Sequence, residues 1–218
     1  MPNDVATQRV IQASAVLSEP FMEAFSTSVA HLESEASRYN HFLFPAIRPM
    51  LMRASVRLAL EDGLLPEGAS VGGNPQQNCE LLIEYKNLTM RVLKENRRLF
   101  PGGIPVAGRN DARRAYYQQM SLEDMLFTSD SCEGAPSNLI LLWEWIDVEN
   151  RKQGVDLRLV HTTGTGRWSA SPVPVDLSIP IVSDVSFYSN LEFETTEETQ
   201  DFFATQIAAE EYDSADAG

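Results

Sequence analysis

Residues 137–147 read SNLILLWEWID, and apolar side chains fill both alternating sets of positions in this stretch. The two sets are Leu139, Leu141, Trp143 and Trp145, and Ile140, Leu142, Glu144 and Ile146. A β-strand that is apolar on both faces is usually covered on both faces. We therefore expect a strand here, near the centre of a sheet, with a packed layer on each side.

A second strand is expected after the break VENRKQG, where the chain returns as VDLRLVHTT over residues 155–163. Together the two segments predict an antiparallel hairpin. If Asp147 pairs with Val155, Glu144 lies opposite Arg158. Opposite charges at facing positions stabilise a strand pair by roughly 0.2–1 kcal/mol, so this register gives the lone Glu of an apolar strand a partner.

The earlier sequence LLIEYKNLTMRVLK also alternates, and an Asn near its middle suits a turn. Its Leu, Glu, Lys and Met residues favour a helix as well, but the alternation favours a hairpin that turns near residues 86–89. With that turn, Glu84 faces Arg91 and Ile83 faces Val92.

The order of the segments predicts an α+β fold, with N-terminal helices followed by a mainly antiparallel β-sheet. We expect a helical region over residues 1–66 and a sheet region over residues 78–190, which contains one short inserted helix over residues 111–119. An acidic C-terminal helix and tail would occupy residues 191–218. All of these parts are expected to form one compact domain.

Local signals place the ends of several elements. Pro20 suits the first turn of a second helix, and Gly63 suits the end of a third. Residues 68–78 are rich in Gly, Pro, Asn and Gln and predict a loop. Asn110 or Asp111 can cap the inserted helix, and residues 182–194 predict an added strand.

Composition limits the classes of function. The chain has 218 residues, of which 43% are hydrophobic, and a net charge of −14 from 31 acidic and 17 basic residues. This charge opposes sequence-independent DNA binding, because such binding comes from neutralising phosphates with Lys and Arg. It permits a local basic groove, or an acidic surface that docks on a basic partner.

Cysteine use and hydropathy point to the cytoplasm. Cys79 and Cys132 lie far apart in sequence, which indicates neither a disulfide framework nor a cysteine metal pair. No apolar run approaches the ~18 residues that a membrane span needs. The N-terminus lacks the basic start and apolar stretch of a secretory signal. We therefore expect a reduced, cytoplasmic protein without a membrane segment.

A first candidate site is Glu84-Tyr85-Lys86, because Glu-x-Lys on a strand forms half of the constellation of restriction-type nucleases. In that chemistry an upstream Asp and the Glu hold Mg²⁺ while the Lys stabilises charge at the phosphate. Asp62 is the upstream acid at a suitable distance, and Glu80 lies on the same strand. The plain structural interpretation is a solvated strand face on which Glu84 pairs with Arg91.

A second candidate is a basic island within 21 residues, formed by Lys94, Arg97, Arg98, Arg109, Arg113 and Arg114. Arginines near a helix N-terminus can hold a phosphate or carboxylate, since free N–H groups point there too. Intramolecular pairing with the surplus acids is the plain alternative to an anion or nucleic-acid contact.

A third candidate is the C-terminal segment, which has nine acidic residues and no Lys or Arg after Leu191. Aromatic and apolar residues are interleaved with the acids, at Phe193, Phe202, Phe203, Ile207 and Tyr212. Such a segment suits docking on a basic groove or imitation of nucleic acid. A terminal helix with a charged outer face is the alternative.

Signatures of metal and nucleotide chemistry are absent from the sequence. His31, His41 and His161 are isolated, and the chain contains neither HExxH nor G-x-S-x-G. Thr163-Gly164-Thr165-Gly166 is too short for a phosphate loop and suits a hairpin turn. We predict no cofactor and no bound metal for the leading function.

The order of the motifs ELLIEYKNLTMRVLKEN, LFPGG, NLILLWEWID, VDLRLVHTT and DLSIPI resembles a group of uncharacterised bacterial and phage proteins. Those proteins are encoded beside helix-turn-helix proteins that carry a zinc-peptidase-like domain, in pairs that look like toxin–antitoxin or stress-regulatory modules. The resemblance covers roughly residues 40–181. It implies a protein partner and supplies no catalytic residues.

These signals favour a non-enzymatic, cytoplasmic regulatory protein, antitoxin-like, that acts by binding a protein partner. The expected contacts are the basic island and the C-terminal segment with Phe202 and Phe203. The alternative is a Mg²⁺-dependent nuclease that uses Asp62, Glu84 and Lys86. A third possibility is a small-ligand binder lined by the aromatic and Met residues of the helical region.

Overall fold

The computed structural model of the chain describes residues 5–36, 43, 46–124, 137–146, 154–168 and 170–191. By contact density the chain divides into a unit over Met1–Tyr188 and a second unit over Ser189–Gly218. The predicted C-terminal helix, with Phe202 and Phe203, lies outside the described residues, as do His41 and Cys132.

The order of elements confirms the α+β class. Helices α1 (Val5–Ala36), α2 (Ile47–Ala59), α3 (Asp111–Tyr117) and α4 (Ser186–Ser189) accompany strands β1 (Ala69–Gly72), β2 (Leu82–Tyr85), β3 (Leu88–Lys94), β4 (Ser137–Trp145), β5 (Val155–Thr162) and β6 (Val175–Ile181). The six strands form one sheet in the order β1-β2-β3-β4-β5-β6. Every neighbouring pair is antiparallel except β3 and β4, which are parallel. The sheet is therefore mainly antiparallel, as predicted.

Strand β4 is buried on both faces, as its sequence predicts. On one face, Trp143 packs against Phe25 of α1, with ring centroids 6.2 Å apart. On the other face, Ile140 and Leu142 belong to a core cluster that the chain between β3 and β4 completes. The other buried members of that cluster are Ile104, Ala107, Tyr117, Val160 and Val173.

The first layer is a single long helix, and the prediction that Pro20 begins a new helix is wrong. Helix α1 runs through Pro20 because its buried side continues across that position, with Leu17, Phe21 and Phe25 all fully buried. Proline removes one hydrogen bond of the helical ladder, and burial of this apolar face offsets that loss. Arg9 also donates to the hydroxyl of Ser137 at 3.2 Å, which ties α1 to the start of β4.

Helix α2 continues into one π-helical turn over Leu60–Leu64, where Gly63 has φ 102°. That conformation suits glycine, and the predicted stop at Gly63 is confirmed. The predicted loop over residues 68–78 was partly wrong, because it contains the edge strand β1. Arg57 of α2 holds this edge in place, since its guanidinium donates to the carbonyl oxygens of Gly72 and Gly73.

Both hairpins form, but both predicted registers are wrong by two residues. Glu144 lies opposite Asp156, and Arg158 lies opposite Leu142. In the other hairpin, Glu84 lies opposite Thr89.

The partner of Ile83 is Met90 and not Val92, because the β2–β3 turn is made by Lys86 and Asn87 alone, with Lys86 at φ 53°. A shift of two residues keeps every side chain on its own face, which explains why the apolar pattern did not exclude it.

The second layer is the connection from β3 to β4, which includes α3. Asn110 caps α3 by accepting a hydrogen bond from the backbone N–H of Arg113 at 3.0 Å, as predicted. The hydroxyl of Tyr116 lies 2.7 Å from the carbonyl oxygens of both Thr89 and Leu139. It therefore bridges β3 and β4, and its burial raises the pKa of the phenol.

The strand predicted over residues 182–194 is absent from the part that the structure describes. Residues 182–191 instead contain α4, and the hydroxyl of Tyr188 accepts from the N–H of Val182 at 2.9 Å. Among the described helices, none combines the length and the hydrophobicity that a bilayer crossing requires.

Candidate functional site

A buried carboxylate marks the point where the chain leaves β3. Glu95 is only 4% exposed, and its two oxygens accept hydrogen bonds from Nε and Nη2 of Arg158, each at 2.9 Å. Arg97 donates to the same carboxylate at 2.7 Å. Burying a charge costs free energy unless it is paired and hydrogen-bonded, and this bidentate arrangement meets that condition.

The same ion pair fixes the loop that follows. Arg158 also donates to the carbonyl oxygen of Gly102 at 2.8 Å. The loop over residues 96–103 is closed by a backbone hydrogen bond from Asn96 N–H to Gly103 O at 2.9 Å. Gly103 has φ +82°, and a Cβ there would overlap the carboxylate of Glu95. The loop conformation is thus set by Glu95 from inside the protein.

This loop presents an aromatic side chain to a partner from a second loop. The rings of Phe100 and Trp168 pack edge to face, with centroids 5.0 Å apart and an interplanar angle of 85°. Trp168 is nevertheless 59% exposed and Leu99 is 50% exposed, whereas the other two tryptophans, Trp143 and Trp145, are buried. We call Arg98, Leu99, Phe100, Arg167 and Trp168 the two-loop surface.

The second loop, described at residues 163–168 and 170–172, contains backbone hydrogen bonds of its own. The N–H of Arg167 donates to Ser171 O at 3.0 Å, and the N–H of Ser171 donates back to Arg167 O at 3.2 Å. A Cβ placed on Gly102 would lie 3.7 Å from Pro172, so the two loops are in contact. A depression of about 370 Å³ lies on this second loop and is lined by Thr165, Gly166, Arg167, Ser171, Pro172 and Pro174.

Charge distinguishes these loops from the chain as a whole. Residues 96–103 and 163–172 contain Arg97, Arg98 and Arg167 and no acidic residue. Arg98 and Arg167 are exposed, and neither forms an ion pair within the part of the chain that the structure describes. The two-loop surface is therefore locally positive on a protein whose net charge is −14.

The predicted basic island divides into two groups. Three of its members make contacts inside the protein: Arg97 with Glu95, Lys94 over the ring of Trp143 at 5.9 Å, and Arg113 over Tyr117 at 5.9 Å. The others, Arg98, Arg109 and Arg114, are exposed and lack an ion pair among the described residues.

A cavity of about 390 Å³ lies at the end of the sheet where β4 and β5 are joined. Its charged lining residues are Glu95, Arg97, Glu144, Asp156 and Arg158. Glu144 and Asp156 are like charges at facing positions, an arrangement that costs stability. Arg97 lies 3.4 Å from Glu144 and partly compensates this repulsion, so the cluster is paired largely within itself.

The three residues of the nuclease hypothesis lie in three different structural elements. Asp62 lies in the π-helical turn after α2, Glu84 lies on β2, and Lys86 lies in the turn beyond that strand. Arg91 pairs with Glu80 at 2.8 Å and not with Glu84. Within the described ranges, no group of three His, Cys, Asp or Glu side chains could hold a metal ion.

The structure pairs a buried histidine with an aspartate, a contact that the sequence did not predict. His161 is fully buried, and its Nδ1 lies 2.6 Å from Oδ1 of Asp176, the extra residue of an irregularity in β6. The other oxygen of Asp176 accepts from the N–H of Leu122 at 2.7 Å. Burial opposes ionisation of Asp176, but these hydrogen bonds outweigh it and hold the pKa of the carboxyl below its usual value.

Comparison with protein-family models, with curated proteins and with solved structures finds no match to this chain.

We predict that Gly103→Ala destabilises the protein more than Gly108→Ala does. Both glycines have left-handed backbones, with φ +82° and +75°, but a Cβ at Gly108 meets open space. Backbone strain alone should lower the free energy of unfolding by about 1–2 kcal/mol in Gly108→Ala. Overlap with Glu95 should bring the loss in Gly103→Ala to about 3 kcal/mol or more. Urea denaturation followed by circular dichroism measures both, and equal losses would show that Gly103 is not packed against Glu95.

Arg158→Met should destabilise the protein by about 3–5 kcal/mol, because it leaves the buried Glu95 without its bidentate partner. Arg97→Met is the matched control. The Arg97 side chain is 69% exposed, so its removal should cost about 1 kcal/mol or less. The two variants are compared by the same denaturation measurement, and an equal cost would contradict the role given to Arg158.

Proposed function

We propose that this chain is a non-enzymatic, cytoplasmic regulatory protein, antitoxin-like, that acts by binding a protein partner through the two-loop surface. The observation that carries the proposal is the exposed Trp168, which packs against Phe100 on two loops whose Arg98 and Arg167 are exposed and form no ion pair among the described residues. Tryptophan and arginine are the residues most enriched at the energetic centres of protein interfaces. An aromatic ring held in one place also loses little conformational entropy on binding.

The construction of the surface supports this proposal. Both loops are closed by backbone hydrogen bonds, and the loop with Phe100 is fixed by the Glu95–Arg158 pair beneath it. Binding would then require little reorganisation of the protein. Leu99, which is 50% exposed, extends the apolar area beside the two rings.

The distribution of charge supports a role for the remaining acids in association. Nine of the 31 acidic residues follow Leu191, while all 17 basic residues precede it. Residues 1–191 therefore hold 22 acids against 17 bases, a net charge of −5. We propose the C-terminal segment with Phe202 and Phe203 as a second contact, whose acids would steer encounter with basic parts of the partner.

The experiment is co-expression of the tagged full chain with the untagged product of the neighbouring gene, followed by titration calorimetry on the purified proteins. We expect a stable complex. Trp168→Ala and Phe100→Ala should each weaken it by about 30-fold or more, the effect of losing an interface residue worth 2 kcal/mol.

Leu58→Ala is the matched control, because Leu58 is 63% exposed on α2 and lies outside the two-loop surface. It should leave the affinity unchanged. The emission of the buried tryptophans checks that each variant is folded. Absence of a complex, or an affinity that is indifferent to both aromatic substitutions, would contradict the proposal.

A further inference from the structure

The depression on the second loop, which Arg167 helps to line, has the features of a small side-chain pocket. Its volume of about 370 Å³ lies near the lower end of the roughly 300–1,000 Å³ that is typical of ligand sites. Pro172 and Pro174 contribute apolar lining, and Arg167 is also a lining residue and carries a positive charge. The depression therefore suits an apolar side chain with a negative charge close to it.

The positive charge on the two loops favours a negatively charged ligand. Arg98 and Arg167 are exposed on neighbouring loops that carry no acid of their own. A guanidinium binds a carboxylate through two parallel hydrogen bonds, which adds geometric specificity to the attraction. Two such groups beside a pocket favour an extended ligand with repeated carboxylates.

We propose that the two-loop surface binds an acidic peptide segment of the partner protein, an inference that rests on the proposed function. An apolar side chain of the segment occupies the depression between Pro172 and Pro174. Flanking carboxylates of the segment pair with Arg98 and Arg167. Trp168 covers the bound segment, with Phe100 supporting its ring from behind.

A peptide fits this surface better than a single-stranded nucleic acid does. Successive bases of a single strand stack on several exposed aromatic rings, and the two-loop surface has one aromatic ring that is largely exposed, that of Trp168. Nucleic-acid binding also draws its affinity from many phosphate contacts, and only three arginines lie on these loops. The net charge of −14 opposes a long polyanion more than a short segment.

The test uses acrylamide quenching of tryptophan fluorescence in the full chain. Trp168 dominates the quenchable signal, because Trp143 is fully buried and Trp145 is 5% exposed. The probes are a synthetic peptide of alternating Glu and Leu, a matched peptide of alternating Lys and Leu, and an oligouridine RNA. We expect the Glu–Leu peptide alone to shield Trp168, and its affinity to fall as salt is added, because salt screens the attraction.

The variants identify the groups that hold the peptide. The double variant Arg98→Gln, Arg167→Gln should weaken binding of the Glu–Leu peptide by roughly tenfold for each charge-assisted contact that is lost. Lys86→Gln removes the same kind of charge from the β2–β3 turn, away from the two loops, and should leave the affinity unchanged. Equal shielding by the Lys–Leu peptide, or shielding by oligouridine and not by the Glu–Leu peptide, would overturn the inference.

The two proposals fail in different ways when the same variants are tested against the product of the neighbouring gene. If Trp168→Ala breaks that complex and the double arginine variant does not, the proposal of an acidic segment is wrong and the proposed binding function stands. If neither variant affects the complex, both proposals are wrong. Loss of the complex in both variants, together with binding of the Glu–Leu peptide, is the result that we expect.

Discussion

Strand β4 has no face for solvent, and the rest of the structure follows from that constraint. One face requires α1, whose buried side runs without interruption from Leu17 to Phe25. The other face requires the connection between β3 and β4, which must cross over the sheet because these strands are parallel. The loop over residues 96–103 is part of that crossover and contacts Arg158 of β5 and Trp168.

The Glu95–Arg158 ion pair holds the covering loop in one conformation. Arg158 comes from β5 and Glu95 follows β3, so their contact joins two strands that are not neighbours in the sheet. Arg158 also donates to the carbonyl oxygen of Gly102, so the pair is tied to the loop that carries Phe100. The proposed binding function depends on the placement of Phe100 against Trp168.

The sequence was sufficient for the parts of the fold that rest on burial. Two-sided burial of β4, the two hairpins and the Asn110 cap follow from side-chain pattern and local hydrogen bonding. Registers do not, because a slip of two residues leaves each face unchanged. In the β2–β3 hairpin the turn at Lys86 and Asn87 decides the register. The edge strand β1 was not predicted because it has little apolar pattern. Arginine contacts from α2 and pairing with β2 stabilise it instead.

The candidate site was less accessible to sequence reasoning. The arginine-rich stretch indicated Arg97 and Arg98, but Trp168 lies about 70 residues away and joins them only when the crossover and the sheet are folded. The signal for Trp168 was a large aromatic within a Gly- and Pro-rich loop, where burial is not expected. The sequence has no comparable signal for the contact between His161 and Asp176, because an irregularity in β6 brings the carboxylate to the imidazole.

Hydrogen–deuterium exchange in the presence of the neighbouring gene's product tests the proposed binding surface most directly. We expect slower exchange in residues 96–103 and 163–172 when the partner is added, with no change in β1 and β2. Unchanged exchange in both loops, together with protection elsewhere in the chain, would show that the partner docks on another surface and that the two-loop surface has a different role.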